Sequence, residues 1–227
     1  MKYAKYYMRV LWENWTKTKN SYAQHEEDKL IELLLPQGVS SFIDIGANDG
    51  VLFSNSYKFA KKGARGLCVE PSRNSFRKLK LNHLFHPKVK CIQSAVSNTN
   101  NHIFLNEDGY ESTLSYVSKI KLGKSYKVAC YTFDRILSKF TDFIKVDLLT
   151  VDVEGHEKEV FKGLTNKSFM AKIIILESDK TETEELLSLN SLKAYRPLCS
   201  NSINTVLVHK NENIPVSFEL TKGFKRF

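Results

Sequence analysis

The sequence predicts an α/β fold in which a mostly parallel sheet carries helices on both faces. Short apolar runs alternate with segments of helical periodicity between about residues 41 and 189. This alternation favours a parallel sheet, because parallel neighbours need a crossover connection that is usually a helix. Two further apolar segments, 193–199 and 205–209, follow each other without a helix between them, which predicts an antiparallel edge.

The chain is expected to divide into an N-terminal helical extension, residues 1–37, and one domain, residues 38–227. The first helix ends near residue 20 and is basic and aromatic. Its apolar face is formed by Tyr3, Tyr6 or Tyr7, Val10, and Asn14 or Trp15. Packing on its own domain is the favoured interpretation, with a membrane surface or a second subunit as alternative partners. A second helix is predicted from about residue 25 to residue 35, just before Pro36.

The remaining elements follow from apolar periodicity and from the residues at their ends. Buried strands are predicted at residues 41–45, 66–70, 89–93, 148–153 and 173–176. Helices are predicted at residues 53–62, 72–84, 133–140, 157–164 and 182–189. Gly63 and Ser72 support two of these boundaries, because glycine often follows a helix and serine is a good N-cap. Polar and apolar residues alternate over residues 101–131, which predicts antiparallel strands or a long excursion over the sheet.

Composition limits the classes of partner and compartment. The chain has 227 residues, and 34 basic against 25 acidic side chains give a net charge of +9. This charge favours anionic partners, although the basic residues are scattered along the chain. The four cysteines form neither a CxxC pair nor a metal knuckle, which predicts a reducing, cytoplasmic location. We expect neither a transmembrane segment nor a signal peptide, because the sequence has no uninterrupted apolar run of the required length.

Polar side chains lie where four of the predicted strands end. The strand ends carry Asp44, Glu70, Ser94 and Asp152 in chain order. In a sheet of this kind, ligands bind beyond the carboxyl ends of the strands, at the point where the strand order reverses. We therefore expect these four side chains to face one crevice.

The glycine turn after the first strand, Asp44-Ile45-Gly46-Ala47-Asn48-Asp49-Gly50, discriminates between cofactors. A dinucleotide site uses G-x-G-x-x-G, whose second glycine lets the backbone approach the pyrophosphate. Asn48 stands at that position here, and with Asp49 it would crowd and repel a pyrophosphate. S-adenosylmethionine has no phosphate, and its amino-acid end and sulfonium tolerate nearby carboxylates. The turn therefore predicts a site for S-adenosylmethionine, with Gly46 and Gly50 providing the tight turn.

Two further segments are candidates for contact with the nucleoside part of this cofactor. Glu70 lies 20 residues after Gly50, where a carboxylate can accept hydrogen bonds from both ribose hydroxyls. Its alternative role is a favourable charge at the start of the helix that begins near Ser72. Ser94 and Ala95 are predicted to meet the edge and the face of the adenine.

Five segments of the chain follow one another in a characteristic order. They are Phe42-Ile43-Asp44-Ile45-Gly46-Ala47-Asn48-Asp49-Gly50, Val69-Glu70-Pro71, Ser94-Ala95-Val96-Ser97, Tyr131-Thr132-Phe133-Asp134 and Val151-Asp152-Val153-Glu154-Gly155-His156-Glu157. Together they resemble the FkbM family of methyltransferases, and the pairing of D-x-G-A-N-x-G with D-V-E-G-x-E is specific. The segment from Tyr22 to Asp28 also resembles the S-Q-x-x-E-D stretch that precedes the domain in many members, with alanine in place of the serine.

The resemblance implies a Rossmann-like class I methyltransferase fold with S-adenosylmethionine as the methyl donor. It further implies methylation of a hydroxyl, often on a sugar or a natural-product scaffold. The positions that would bind the cofactor are Asp44, Gly46, Asn48, Gly50 and Glu70, with Gln24 and Asp28 as contacts from the upstream segment. Asp152 would lie beside the transferred methyl group.

The base that removes the acceptor's proton is expected among Asp152, Glu154 and His156. His156 sits at the predicted start of a helix, whose positive end keeps the ring neutral. Its alternative is a solvent-facing ring, with Glu154 capping the helix. The same three side chains could hold a divalent metal, although no metal is predicted. Tyr110, Glu111, Ser112 and Thr113 belong to a candidate loop over the crevice.

Two other functions stay open at this point. An RNA methyltransferase fits the positive charge, but no N-P-P-Y or D-P-P-Y run follows the fourth strand, and a ribose set built on Asp152 and Glu177 lacks assigned lysines. A binding protein that kept the fold and lost catalysis is disfavoured by the intact glycine turn and by Glu70. The expected acceptor is a carbohydrate hydroxyl, with nucleic acid the less favoured partner.

Overall fold

A computed structural model gives the fold and describes residues 2–107, 115–118, 125–178, 180–215, 220–221 and 223–227. The helices are α1 (Lys2–Thr16), α2 (Glu27–Leu34), α3 (Tyr57–Lys61), α4 (Arg73–Asn82), α5 (Phe133–Lys139), α6 (Glu157–Lys162) and α7 (Lys180–Leu187). The strands are β1 (Ser41–Ile45), β2 (Arg65–Val69), β3 (Val89–Ile92), β4 (Ala95–Ser97), β5 (Asn101–Glu107), β6 (Ser115–Ser118), β7 (Ser125–Thr132), β8 (Lys145–Val151), β9 (Met170–Glu177), β10 (Tyr195–Ser200), β11 (Asn204–His209) and β12 (Lys225–Arg226).

The main sheet of the described residues has the order β12-β10-β11-β9-β8-β1-β2-β3. The strands from β3 to β9 in this order run parallel, whereas β11 pairs antiparallel with both β9 and β10. The predicted α/β class with an antiparallel edge is therefore confirmed. The chain first builds outward from β1 to β3 and later returns to the other side of β1 with β8. The strand order thus reverses between β1 and β8, which is where such sheets bind ligands.

Side chains of the central strands alternate between two apolar clusters, one on each face of the sheet. Ile43 and Leu149 point into the cluster that contains α5 and α6, while Phe42 and Leu148 point into the other. This alternation is the period of two expected of a buried strand. Leu30 of α2 belongs to the second cluster. The division of the chain at residue 37 stays a prediction, and α2 shares its interior with the sheet.

A second, four-stranded sheet has the order β4-β7-β5-β6. β5 pairs antiparallel with β6 and β7, which confirms the antiparallel strands predicted for residues 101–131. β4 pairs in parallel with β7. It directly follows β3, the edge strand of the main sheet, so the chain passes from the edge of the first sheet into the second. The candidate loop of Tyr110, Glu111, Ser112 and Thr113 lies outside the described residues.

Helix α3 is shorter than the predicted span of residues 53–62. Phe53 has a φ of 56°, in the left-handed region that a helix cannot include. The Ser54 hydroxyl then accepts hydrogen bonds from the backbone N–H groups of Ser56 and Tyr57, at 3.3 and 3.0 Å. This polar turn delays the start of the helix to Tyr57.

Helix α1 packs on α4, as the favoured interpretation predicted. Leu11 is buried, and Asn14 donates a hydrogen bond of 3.1 Å to the side-chain oxygen of Asn82. Within the described residues, every helix is too short or too polar to cross a bilayer.

Candidate functional site

A cavity of about 680 Å³ lies at the carboxyl ends of β1, β2, β8 and β9, where the strand order reverses. This volume is in the range of small-molecule sites. The predicted site residues on its lining are Gln24, Asp44, Gly46, Asn48, Asp49, Glu70, Ser94, Ala95, Asp152, Glu154 and His156. The structure thus brings together residues from four strand ends and from the segment that precedes α2.

Gly46 brings the turn after β1 into direct contact with the end of β8. Its φ is 86°, and a Cβ at this position would lie 1.6 Å from the carbonyl oxygen of Asp152. The N–H of Asp152 in turn donates a 2.9 Å hydrogen bond to the carbonyl of Ile45. Only glycine allows this approach, so Gly46 joins the two sides of the cavity.

Glu70 is buried at the end of β2 and braces the same turn. Its carboxylate accepts the N–H of Asn48 at 2.8 Å and the N–H of Ser72 at 2.7 Å. Ser72 is the N-cap of α4, so the alternative role of Glu70 at a helix start is present in the structure. Glu70 also lines the cavity, because its hydrogen bonds to Asn48 and Ser72 hold the carboxylate between the turn and the helix.

Ser94 offers an unsatisfied hydroxyl to the cavity. The side chain is fully buried, and its Oγ has no hydrogen-bond partner within the described part of the chain. A buried hydroxyl without a partner costs about 1–3 kcal/mol. A ligand that offers a polar atom at this point of the lining would remove that cost.

The cavity is acidic although the whole chain is basic. The carboxylates on its lining are those of Asp44, Asp49, Glu70, Asp152, Glu154 and Glu177. Among the described residues that line the cavity, Lys78 is the only lysine or arginine. The lining therefore attracts cations and repels phosphates.

Desolvation by the surrounding protein raises the pKa of several of these carboxyl groups. The pKa of Asp44 rises to about 6 because protein surrounds it, even though Ser56 Oγ donates a 2.5 Å hydrogen bond to it. The Asp152 side chain reaches the cavity, yet desolvation by the surrounding protein raises its pKa to about 6. Glu154, also partly desolvated and close to Glu177, has a pKa of about 6. Ionisation of this cluster is thus poised near neutral pH.

Asp152 and Glu177 form a carboxyl pair. Asp152 directly follows β8, and Glu177 is the last residue of the neighbouring strand β9, in which Leu176 pairs with Val151 of β8. A hydrogen bond joins the two side chains, which requires one proton between them, and burial together with Asp152 raises the pKa of Glu177 to about 7. The sequence had suggested Glu177 only as part of a ribose-methylating set. The sequence signal that could have placed Glu177 in the site was its position at the end of β9, the strand beside β8.

His156 and Glu157 hold the loop after β8. His156 is the N-cap residue of α6, so the alternative in which Glu154 caps this helix is wrong. The ring Nε2 of His156 lies 2.9 Å from Ser97 Oγ. Glu157 accepts hydrogen bonds from the N–H groups of Val153 and Gly155, at 3.1 and 3.3 Å. Glu157 therefore braces the loop that presents Asp152.

Two predicted cofactor contacts lie outside the cavity, which corrects the expectation for them. Gly50 faces α4, where an added Cβ would lie 2.6 Å from Leu79. Glycine is therefore needed at this position so that the turn can pack against α4. Asp28 is fully buried and accepts hydrogen bonds from Ser21 Oγ at 2.6 Å and from the N–H of Tyr22 at 2.8 Å. It holds the segment that carries Gln24.

No three His, Cys, Asp or Glu side chains in the described residues converge in a way that could hold a metal ion. The candidate set of Asp152, Glu154 and His156 therefore does not form a metal centre in this structure.

Several solved structures are similar to this chain at low sequence identity. The chain is similar to an FkbM methyltransferase from Methylobacillus flagellatus KT, at 15% identity and a TM-score of 0.49, over 75% of this chain and 43% of that one. A precorrin-6y C5,15-methyltransferase from Geobacter metallireducens GS-15 aligns at 10% identity and a TM-score of 0.49, over 85% and 92% of the two chains. A putative RNA methyltransferase from Pyrococcus horikoshii aligns at 13% identity and a TM-score of 0.46, over 92% and 99%.

The chain thus spans less than half the length of the Methylobacillus protein. No curated protein sequence matches it. The sequence profile described as the Methyltransferase FkbM domain matches residues 44–197, which include the glycine turn, Glu70 and the Asp152 loop. With a Rossmann-like class I methyltransferase fold around the same residues, the chain belongs to the FkbM family of methyltransferases.

Proposed function

We propose that this methyltransferase uses S-adenosylmethionine to methylate a hydroxyl group of a sugar or glycan. The acidic cavity at the strand-order reversal supports this proposal most strongly. S-adenosylmethionine carries a cationic sulfonium and an ammonium group and no phosphate, so carboxylates on the lining would stabilise it. The pyrophosphate of a dinucleotide would meet the same carboxylates and be repelled.

The residues on the cavity fit the parts of this cofactor. Glu70 at the end of β2 suits a pair of ribose hydroxyls, and the unpartnered hydroxyl of Ser94 suits a polar edge of the adenine, with Ala95 beside it. Asp44, Asn48 and Asp49 in the turn, with Gln24 on the same lining, suit the amino-acid end. When bound, the cofactor supplies an activated methyl group on its sulfonium.

The chain must remove the proton of the acceptor hydroxyl, and we assign this role to Asp152. Its pKa of about 6 leaves it ionised at neutral pH and still basic enough to accept a proton. Glu177, whose pKa is about 7, holds its proton more tightly than Asp152, and its protonated form donates the hydrogen bond that joins the two side chains. Glu177 is therefore a positioning residue. Glu154 and His156 are the alternative bases, and the contact of His156 with Ser97 favours a structural role for that ring.

The other functions are less well supported. An RNA acceptor would bring phosphates to a cavity whose described lining has six carboxylates and one lysine, so a neutral polyol is favoured. A binding protein without catalysis would not need the raised pKa values at Asp152 and Glu177. All four cysteines are free thiols, which supports the cytoplasmic location that we propose.

The proposal is tested by transfer of a labelled methyl group from S-adenosylmethionine to panels of neutral glycans, amino sugars and oligonucleotides. We expect label in a neutral glycan, loss of transfer in Asp152→Asn, and normal transfer in Asp142→Asn. Asp142 is an exposed carboxylate that precedes the amino end of β8 and does not line the cavity. Label found in oligonucleotides alone would overturn the glycan assignment. Unimpaired transfer by Asp152→Asn would overturn the assignment of the base.

A further inference from the structure

An apolar patch covers the outer side of α1 and the end of α4. It consists of Met8, Trp12, Trp15, Leu81, Leu84 and Phe85, and we call it the α1–α4 patch. Most of these side chains are strongly exposed, including Trp12 at 64% and Phe85 at 63%. Met8, Trp12 and Trp15 are spaced by one helical turn and so share a side of α1. The Trp15 ring packs against Phe85 with 4.7 Å between centroids, which joins the two parts.

The α1–α4 patch is held in a fixed position. The indole N–H of Trp15 donates to the carbonyl of Leu81 at 3.1 Å. Lys61 donates to the carbonyls of Asn14 and Trp15, at 2.8 and 2.9 Å, and the Tyr57 hydroxyl donates to Asn14 at 3.1 Å. These hydrogen bonds fix the C-terminal half of α1 on the domain. Trp12 is therefore held in its exposed position by the fold.

The sequence segment that contains α1 carries a strong positive charge. Residues 1–20 carry five basic side chains and one acidic side chain, a net +4 of the chain's +9. The basic residues are Lys2, Lys5, Arg9, Lys17 and Lys19. Exposed tryptophan, phenylalanine and leucine, in and next to a segment whose sequence is rich in lysine and arginine, match the boundary between lipid head groups and acyl chains. A contiguous exposed apolar surface of this kind marks an interaction site.

We propose that the α1–α4 patch docks the protein on the surface of an anionic lipid bilayer. The apolar side chains would enter the interface while the basic residues neutralise acidic head groups. A second copy of the chain fits less well, because a two-fold contact presents the same surface on both sides. The +4 charge of one copy would then oppose the +4 charge of the other.

Co-sedimentation of the full chain with vesicles tests this proposal. We expect binding to phosphatidylcholine vesicles that contain phosphatidylglycerol, weaker binding to phosphatidylcholine alone, and release by high salt. The variant Trp12→Ala/Leu84→Ala should lower the partition coefficient at least about tenfold, because it removes two side chains that would insert. Both are exposed, at 64% and 59%, so the variant should keep its melting temperature.

The matched control is Leu33→Ala/Phe227→Ala, which removes two exposed apolar side chains elsewhere. It should bind anionic vesicles like the unchanged protein. Equal binding by both double variants, or no binding of the unchanged protein to anionic vesicles, overturns the proposal. A dimer in sedimentation velocity that Trp12→Ala/Leu84→Ala dissociates would instead identify the patch as a contact between copies. Binding to oligonucleotides that the same variant abolishes would identify a nucleic-acid surface.

Discussion

Replacing Asp44 by asparagine should stabilise the protein at neutral pH. Burial raises the pKa of Asp44 from 3.8 to about 6. A raised pKa means that the folded chain retains a proton that the unfolded chain releases, so the associated stability is present below pH 4 and is lost as the pH rises through 6. At about 1.4 kcal/mol per pKa unit, ionised Asp44 costs roughly 3 kcal/mol at neutral pH.

Asparagine still accepts the hydrogen bond from Ser56, but without the help of a charge. We therefore expect Asp44→Asn to gain about 1–2 kcal/mol in the free energy of unfolding near pH 7.5, and to lose most of this gain near pH 4. Urea denaturation of both proteins at the two pH values measures the difference. A variant less stable than the unchanged protein at both would refute the claim that the site carries a destabilising charge.

Asp147→Asn is the matched control and should have the opposite sign. Asp147 is also buried in the sheet, but it accepts hydrogen bonds from Ser40 N–H and Oγ and from Lys172, at 2.7, 2.6 and 2.7 Å. These partners outweigh the effect of burial and lower its pKa. Removing the charge should cost about 1–3 kcal/mol at neutral pH.

Three further results are expected at the cavity itself. Gly46→Ala should abolish cofactor binding in a thermal-shift assay and destabilise the fold by more than about 2 kcal/mol, because the added Cβ would lie 1.6 Å from a carbonyl oxygen. The control Gly38→Ala should retain binding in the same assay, because nothing lies within 4 Å of its added Cβ. Ser94→Ala should weaken cofactor binding about fivefold to tenfold by calorimetry and should leave the free protein at least as stable, because it removes a buried Oγ that has no partner among the described residues. Unaltered affinity would rule out the contact. The rate of methyl transfer should fall as the pH drops through about 6, the pKa of Asp152. Glu177→Ala should shift this midpoint upward, because it removes the hydrogen bond that favours the ionised form of Asp152, whereas Glu177→Gln keeps a donor and should leave the midpoint nearly unchanged. A flat pH profile contradicts the assignment.

Apolar periodicity and turn residues were enough to predict the order of the main elements. They are local properties, so β1, β2 and β8 were found with the polar residues at their ends. The convergence of Asp44, Glu70 and Asp152 then followed from the general geometry of a parallel sheet.

Features that depend on contacts across the fold could not be predicted. Asp28 stands in a motif-like segment but is buried and accepts hydrogen bonds from Ser21 and Tyr22, and a sequence does not reveal which way a side chain turns. Glu177 became part of the site only through the register of β8 with β9. The α1–α4 patch depends on how one helix is seated on another.

Calorimetric titration with S-adenosylmethionine tests the central claim that this cavity binds the methyl donor. We predict saturable binding to one site per chain, lost in Glu70→Gln because Glu70 both braces the turn and lines the cavity, with no heat from NAD under the same conditions. Absence of S-adenosylmethionine binding, or equal binding by Glu70→Gln, would contradict the account.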